Sequence, residues 1–208
     1  MQPQSANQEA ILLVGPTGAG KSPLGDALEC HGHHGRRCWH FDFGANLRLV
    51  AAGDMRPDAF TDADVAFVQC VLSAGALLED ETFYIAEGIF RAFIDIRPVG
   101  VGDVVILNGL PRHVGQARDV ARFATVVEVI ALACTPEVVE ARVCANVGGD
   151  RAERTDDSLA EVRRKLEIFR QRTAPLIEYY CSSGVPLTRV DVMADMTADG
   201  ALSALVTG

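Results

Sequence analysis

The segment GPTGAGKSP, residues 15–23, constrains the fold of this chain more than any other stretch. It follows the apolar run AILLV and precedes LGDALEC, an order that predicts a buried strand, a glycine-rich turn and a helix. Gly15, Gly20, Lys21 and Ser22 match the pattern G-x-x-x-x-G-K-[ST], in which backbone N–H groups point at phosphate oxygens beside a helix N-terminus. The segment therefore predicts a phosphate-binding loop at the edge of an α/β sheet.

The residue types in this loop each have a chemical reason to be there. We expect Lys21 to reach the β- and γ-phosphates of a bound ATP, and the hydroxyl of Ser22 suits Mg²⁺. The loop alone leaves the reaction open, because GTPases, ATPases and small-molecule kinases share it. The residues expected to bind ATP are Gly15, Gly18, Ala19, Gly20, Lys21, Ser22 and Pro23, the last so early in the helix that its missing N–H costs little.

Strand-like and helix-like segments alternate along the 208 residues, 49% of which are hydrophobic, enough for one sizeable core. Short apolar runs between helical patterns predict a parallel sheet covered on both faces. We therefore expect one α/β domain, a P-loop NTPase fold of three α/β/α layers around a five-stranded parallel sheet. The strand-like runs are residues 10–14, 39–43, 103–107, 125–132 and 186–192, and the helical core positions are Ile85, Ile89, Phe93, Leu159, Val162, Leu166, Phe169 and Thr173.

Charge and cysteine usage narrow the class of partner. The net charge of −9 disfavours nucleic acid as the main partner. The first ten residues lack the basic and apolar regions of a signal peptide, and no apolar run approaches the roughly 18 residues of a spanning helix. The six cysteines are scattered, as expected for reduced thiols. We expect a cytoplasmic monomer that binds small molecules, neither nucleic acid nor membrane.

The end of the third predicted strand carries an amide and then an arginine. P-loop proteins that hydrolyse nucleotides usually end this strand on an acid that binds Mg²⁺, whereas here it ends on Asn108. The turn GLP then delivers Arg112 to the carboxyl edge of the sheet, where open α/β sheets bind ligands. The planar fork of an arginine fits a phosphate with two parallel hydrogen bonds, so Arg112 is a candidate phosphate ligand.

Five short segments, in their order and spacing, resemble the adenylate kinases and the related nucleoside monophosphate kinases. The resemblance runs from about residue 10 to about residue 192, nearly the whole chain. It implies transfer of the γ-phosphoryl group of ATP to a nucleoside monophosphate, with Mg²⁺ bridging the donor phosphates. The segments are GANLR (44–48), GALLEDE (75–81), NGLPRHVGQ (108–116), RTDD (154–157) and TAPLIEYY (173–180).

On the acceptor side, the resemblance implies a helical flap at about residues 43–95 that binds the monophosphate nucleotide. Arg48 and Arg112 would bind its phosphate, and Gln116 would read its base, with AMP favoured over UMP or CMP because relatives for those carry asparagine there. Without that role, Gln116 is an ordinary helix residue and the arginines form surface salt bridges. The other acceptor-side residues implied are Ala76, Leu77, Leu78 and Gly109.

On the donor side, the resemblance implies a short lid at about residues 146–156, on a core of residues 9–42, 96–145 and 157–208. Arg142 stands at the lid edge, and Arg154 would fold over the phosphates when the lid closes. A further family arginine corresponds to Lys165, although Arg163 is an alternative. The residues expected to act on the transferring phosphoryl group are Lys21, Arg112, Arg142, Arg154 and Lys165.

Several positions depart from the family pattern. Asn108 replaces an aspartate near the metal, so the metal ligands we expect are Ser22 and, through its amide oxygen, Asn108. Ala45 and Phe43 replace an acid and a small hydroxyl residue, and Asn146 replaces a lid arginine. These changes leave two alternatives open: a kinase for UMP, CMP or another small acceptor, and a nucleotide-binding regulator that has lost activity.

The segment CHGHHGRRCWH, residues 30–40, concentrates potential metal ligands. Its spacing matches no standard zinc pattern, and it falls in the loop between the first helix and the second strand. The favoured interpretation is a solvated loop with one histidine in the strand, and a metal site is the alternative.

Overall fold

The computed structural model describes residues 7–76, 78–149 and 158–207. Its sheet has five strands in the order β2-β3-β1-β4-β5, and each pairs in parallel with its neighbours. Helices cover both faces of the sheet, so the expected three-layer α/β/α fold with a five-stranded parallel sheet is confirmed. The strands are β1 (Gln8–Val14), β2 (Cys38–Asp42), β3 (Val104–Asn108), β4 (Ala124–Ala133) and β5 (Leu187–Asp191).

Alternation along β1 explains the two cores. Leu12 faces the larger cluster, and Ile11 and Leu13 face the smaller one beneath α1 and α9, because successive strand residues point to opposite faces. The helices of the described residues are α1 (Lys21–His31), α2 (Phe43–Ala52), α3 (Asp62–Ala74), α4 (Phe83–Asp95), α5 (Val114–Val120), α6 (Pro136–Ala145), α7 (Leu159–Ile168), α8 (Pro175–Ser182) and α9 (Ala198–Thr207). None of these helices is long and apolar enough to span a bilayer.

The long connection between β2 and β3 is helical, as predicted, and contains α2, α3 and α4. On α4, Ile85, Ile89 and Phe93 are all buried, which confirms the predicted apolar face. Phe93 packs edge-on against Phe41 of β2, with ring centroids 5.1 Å apart. Helix α4 therefore belongs to the core beside the sheet, while α2 and α3 lie above the sheet edge that carries the cavity described below.

The segment from Leu159 to Thr173 differs from the single core-facing helix expected. Helix α7 ends at Ile168, and residues 169–173 form a π-helical turn before α8. Val162 and Thr173 are buried, but Leu159 is half exposed, so the expectation that Leu159 faces the core is wrong. Leu159 is the first residue after the N-cap Ser158, so it lies at the very end of the helix, where fewer neighbours can cover it.

Candidate active site

A cavity of about 280 Å³ opens at the carboxyl edge of the sheet, with the glycine-rich loop on one side and α2, α3 and α7 on the other. Most of the residues predicted from the sequence line this one cavity. Ala19 and Pro23 do not line it. Leu77 and Arg154 lie outside the described residues, as do residues 150–156 of the expected lid. The predicted residues in its wall are Gly15, Gly18, Gly20, Lys21, Ser22, Arg48, Ala76, Leu78, Asn108, Gly109, Arg112, Gln116, Arg142 and Lys165.

The glycine-rich loop is shaped to present backbone N–H groups. Gly18 and Gly20 have φ angles of 76° and 93°, in the region that side chains disfavour. Gly20 is the N-cap of α1 and has no side chain to cap the helix, so first-turn N–H groups face a prospective ligand. The Lys21 ammonium donates to the carbonyl oxygens of Gly15 (2.7 Å) and Pro16 (2.8 Å), which holds its charge above the loop.

Arg142 joins this loop to the segment that follows β5. Its guanidinium is buried and donates from Nε to the carbonyl oxygen of Gly18 (3.0 Å). Nη1 donates to the carbonyl oxygens of Met193 (2.8 Å) and Met196 (2.7 Å). A side chain at Gly20 would come within 3.1 Å of Nη2, so the guanidinium reaches the phosphate loop itself. Arg142 therefore holds the glycine-rich loop against the segment that follows β5.

Arg112 brings a positive charge to the opposite wall. Its backbone is fixed from two sides, because its N–H donates to Gln116 Oε1 (2.7 Å) and its carbonyl accepts from Thr173 Oγ1 (2.9 Å). Across the described residues, no carboxylate lies within salt-bridge distance of its guanidinium, and burial lowers the pKa of Arg112 below the ordinary value. Arg48, on the exposed side of α2, lines the same wall. A half-buried cation with no described carboxylate beside it suits an anionic ligand.

Gln116 is buried and both ends of its amide are engaged. Oε1 accepts from Arg112, and Nε2 donates to the carbonyl oxygen of Leu78 (2.8 Å). The amide therefore ties the end of the turn after α3 to the segment that carries Arg112. Each end of the amide keeps one further site, a second lone pair on Oε1 and a second N–H on Nε2, so its expected role in reading a base requires neither bond to break.

The two candidates on α7 lie in different places. Lys165 lines the cavity, whereas Arg163 is exposed on the outer face and its Nε donates to Glu140 Oε1 (3.0 Å). Of the two, Lys165 is therefore the better candidate for a residue that contacts a bound ligand.

Asp42 is a functional candidate that the sequence reasoning missed. Ser22 donates its hydroxyl to Asp42 Oδ2 (2.6 Å), and Asn108 Nδ2 donates to the same oxygen (2.9 Å) and to Ser22 Oγ (3.0 Å). Asp42 Oδ1 also caps α2 by accepting from the N–H of Ala45 (2.9 Å). The available signal was an acid at the last position of β2, which pairs in register with Asn108 of β3.

Behind this group, His40 supports the Asn108 amide. The buried ring accepts a contact from Asn108 Nδ2 at its Nε2 (3.3 Å), while its Nδ1 lies 2.7 Å from Asp26 Oδ1. A carboxylate at Nδ1 holds the proton on that nitrogen and leaves Nε2 as the acceptor. The amide nitrogen of Asn108 therefore faces Ser22 and Asp42, and its oxygen points elsewhere.

Comparison with known proteins gives a second indication of the family, independent of the cavity. No family model matches the chain. An adenylate kinase of Synechococcus sp. (strain WH7803) is 30% identical over 197 residues, which cover 92% of this chain and 94% of that protein. Adenylate kinases of Sinorhizobium medicae (strain WSM419) and Rhizobium meliloti (strain 1021) are 30% and 31% identical, each over 89% of this chain and 93% of the relative.

Proposed function

The chain belongs to the adenylate kinase family, and from that premise we propose that it transfers the γ-phosphoryl group of ATP to AMP. The observation that carries the proposal is one cavity with a phosphate loop on one wall and a half-buried arginine, Arg112, on the other. Two phosphate-binding walls facing one space suit a donor and an acceptor nucleotide bound together.

The donor would lie on the loop and Arg142. Its phosphates would receive the N–H groups of the α1 N-terminus, while Lys21 would exchange its carbonyl partners for the β- and γ-phosphate oxygens. Arg142 holds the loop and the chain after β5 in one arrangement, so it would fix the donor side before ATP arrives. Arg154 remains a predicted lid residue outside the described part of the chain.

The acceptor would lie between α2, α3 and Arg112. Arg112 and Arg48 would bind its phosphate, and Lys165 would face the transferring group from α7. The turn after α3 is joined to the core by Arg172, which donates from both Nη atoms to Glu79 (3.1 and 3.2 Å), and by Gln116 through Leu78. We propose that α2, α3 and this turn are the moving flap and that residues near 146–156 are the lid.

Positioning and charge would supply most of the catalysis. A monophosphate oxygen is already ionised at neutral pH, so no side chain has to remove a proton from the acceptor. The cations of both walls would hold the two nucleotides in line and stabilise charge on the transferring group. Closure of the flap would exclude water, which protects ATP from hydrolysis.

The donor set beside Ser22 fits Mg²⁺. The Ser22 hydroxyl and the Asp42 carboxylate lie 2.6 Å apart at the edge of the phosphate loop, and such hard oxygen ligands are those that Mg²⁺ takes. Ser22 and Asp42 would hold the ion or its waters, and Asn108 would orient the Asp42 carboxylate. The bound ion would neutralise charge on the donor phosphates.

A coupled assay with ATP, Mg²⁺ and each of AMP, UMP, CMP and dAMP tests the proposal, with Lys21→Met as the inactive control. We expect the highest kcat/KM for AMP and a loss of a hundredfold or more in the control, because a phosphate-side charge is removed from the transition state. A preference for UMP or CMP would reassign the acceptor. ATP binding without turnover on any acceptor would overturn the kinase in favour of a nucleotide-binding regulator.

A further inference from the structure

Three ligand-type side chains meet away from the nucleotide cavity, on the sheet face shared with α1 and α9. His33 and His34 come from the loop between α1 and β2, and Glu128 comes from β4. One ligand atom of each residue lies within 4.8 Å of the others. His33 Nε2 is 3.0 Å and His34 Nε2 is 3.7 Å from the same carboxylate oxygen, Glu128 Oε2.

A bulge in the sheet places Glu128. Ala10 pairs with Val126, but Ile11 pairs with Glu128, so Val127 is an extra residue in β4. The shift puts Glu128 on the apolar face that carries Ile130 further along the strand, and the residue is only 8% exposed. Bulges often re-aim a side chain beside a functional site. A carboxylate in such a place is costly unless it is partnered.

The two oxygens of Glu128 have different partners. Thr188 Oγ1 donates to Oε1 (2.8 Å), which leaves Oε2 to face both imidazoles. A second partner that fixes the orientation of a ligand is typical of metal sites.

The loop that carries the histidines is held in shape. Backbone bonds in both directions join His33 and Arg36 (3.0 and 2.9 Å), and Arg36 Nη2 pairs with Glu9 Oε2 at 2.6 Å. The guanidinium of Arg36 also donates to the carbonyl oxygens of Gly102 and Asp103, so its charge is engaged away from the histidines. His34 has a φ of 50° and a side chain that is 70% exposed, yet its ring turns back toward Glu128.

We propose that His33, His34 and Glu128 bind a divalent ion of the zinc class. Neutral imidazole nitrogens and a carboxylate oxygen bind such ions at about 2.0–2.2 Å, which separates ligand atoms by roughly 3–4 Å in a tetrahedral site. The separations of the two histidine Nε2 atoms from Glu128 Oε2, 3.0 and 3.7 Å, lie in that range. Water would take the fourth position, because His34 lies at the surface. The ion would join the loop before β2 to β4, independently of phosphoryl transfer.

Zinc titration of the metal-stripped chain by calorimetry, with a chromophoric chelator as competitor, tests the site. We expect the wild type to bind one Zn²⁺ tightly and His34→Ala to bind it at least tenfold more weakly. His31→Ala is the matched control, since His31 is an exposed histidine three residues away that lies outside the cluster. Thr188→Val, which removes only the bond to Oε1, should weaken binding by about tenfold or more.

Three further measurements test which side chains bind the ion and whether the ion acts apart from phosphoryl transfer. Cobalt loading should give a spectrum without thiolate charge transfer, because the exposed thiol of Cys30 takes no part. Zn²⁺ should raise the Tm of the wild type, and at the same concentration it should raise that of His34→Ala by less. The proposal is overturned by a wild type that binds no zinc, by equal binding in His34→Ala, or by a thiolate band. Phosphoryl transfer by His34→Ala should match the wild type.

Discussion

At the scale of single residues, the carboxylate beside Ser22 comes from Asp42 at the end of β2, while the end of β3 carries the amide of Asn108. In many P-loop proteins an acid and the loop hydroxyl together hold Mg²⁺. Here Asn108 donates to the carboxylate from 2.9 Å, a separation at which a second carboxylate would be repelled. Asn108 is thus complementary to Asp42, so a carboxylate still lies beside Ser22 despite the departure from the family pattern.

This exchange predicts the effect of moving the carboxylate. Asp42→Asn should raise the Mg²⁺ concentration needed to tighten ADP binding by about tenfold or more, because the ionised ligand is lost. Asparagine at position 42 still caps α2. Asn108→Asp alone should lower the Tm in the absence of Mg²⁺, since two carboxylates would then meet. The double variant Asp42→Asn/Asn108→Asp restores one acid and one amide, and it should recover most of the affinity for Mg²⁺ in the presence of ADP.

Calorimetric titration of ADP at several Mg²⁺ concentrations measures these differences, with the Tm recorded for every variant. Wild-type behaviour in Asp42→Asn, or a double variant weaker than either single variant, would remove Asp42 from the metal site.

Arg112 gives a second prediction at this scale. Arg112→Ala should lower kcat/KM for AMP by about a hundredfold or more, close to 3 kcal/mol of transition-state stabilisation, and change ATP affinity by less than about threefold. No described carboxylate would be left unpaired, so the free energy of unfolding should stay the same or rise. Steady-state kinetics and urea unfolding test both parts.

The matched control for this prediction is Arg163→Ala, which removes an exposed arginine of α7 outside the cavity. Equal losses for ATP and AMP in Arg112→Ala would show that Arg112 does not belong to the acceptor side.

At the scale of secondary-structure elements, the strands were predictable because each is a short apolar run between breakers. The predicted run 103–107 corresponds to β3, Val104–Asn108, and the run 39–43 corresponds to β2, Cys38–Asp42. The segment after Ser158 was less predictable, because a π turn at residues 169–173 shifts the apolar stripe. No residue type in the local sequence indicates such a turn. The local pattern thus predicts whether a segment is a strand or a helix better than it predicts which of its residues face the core.

The contact between α1 and β2 yields a prediction about Gly25. A Cβ on Gly25 would lie 2.3 Å from His40 Nε2, and that ring is held by Asp26 and Asn108. Gly25→Ala should therefore destabilise the chain by about 1–3 kcal/mol, although alanine normally favours a helix. Gly200→Ala on α9 is the control, because its Cβ would meet only ordinary contacts at 3.5 Å. Urea unfolding should separate the two, and an equal effect would show that His40 moves freely.

At the scale of the whole molecule, the sequence located the phosphate loop and the arginines, because their motifs are local. It did not locate contacts between distant segments. Asn108 and Asp42 are 66 residues apart, Gln116 and Leu78 are 38 apart, and His33 and Glu128 are 95 apart. The roles of such pairs depend on register and packing, which bring chemically complementary groups together only in the folded chain.

Cys38 offers a test of how the sheet and the nucleotide cavity are coupled. It is fully buried at the start of β2, and burial raises the pKa of its thiol to about 11. Only about one molecule in a thousand therefore carries the thiolate at pH 8.

A disulfide reagent should modify exposed Cys181 quickly and Cys38 only when the chain opens. Saturating ADP and Mg²⁺, at about 100 times Kd, stabilises the fold by about 2.7 kcal/mol and should slow Cys38 by about a hundredfold, with Cys181 unchanged. Mass spectrometry of labelled peptides, in buffer with a chelator that keeps zinc away from His33, measures both rates. A Cys38 rate that ignores ADP would mean that the segment around β2 opens locally, without loss of the nucleotide site.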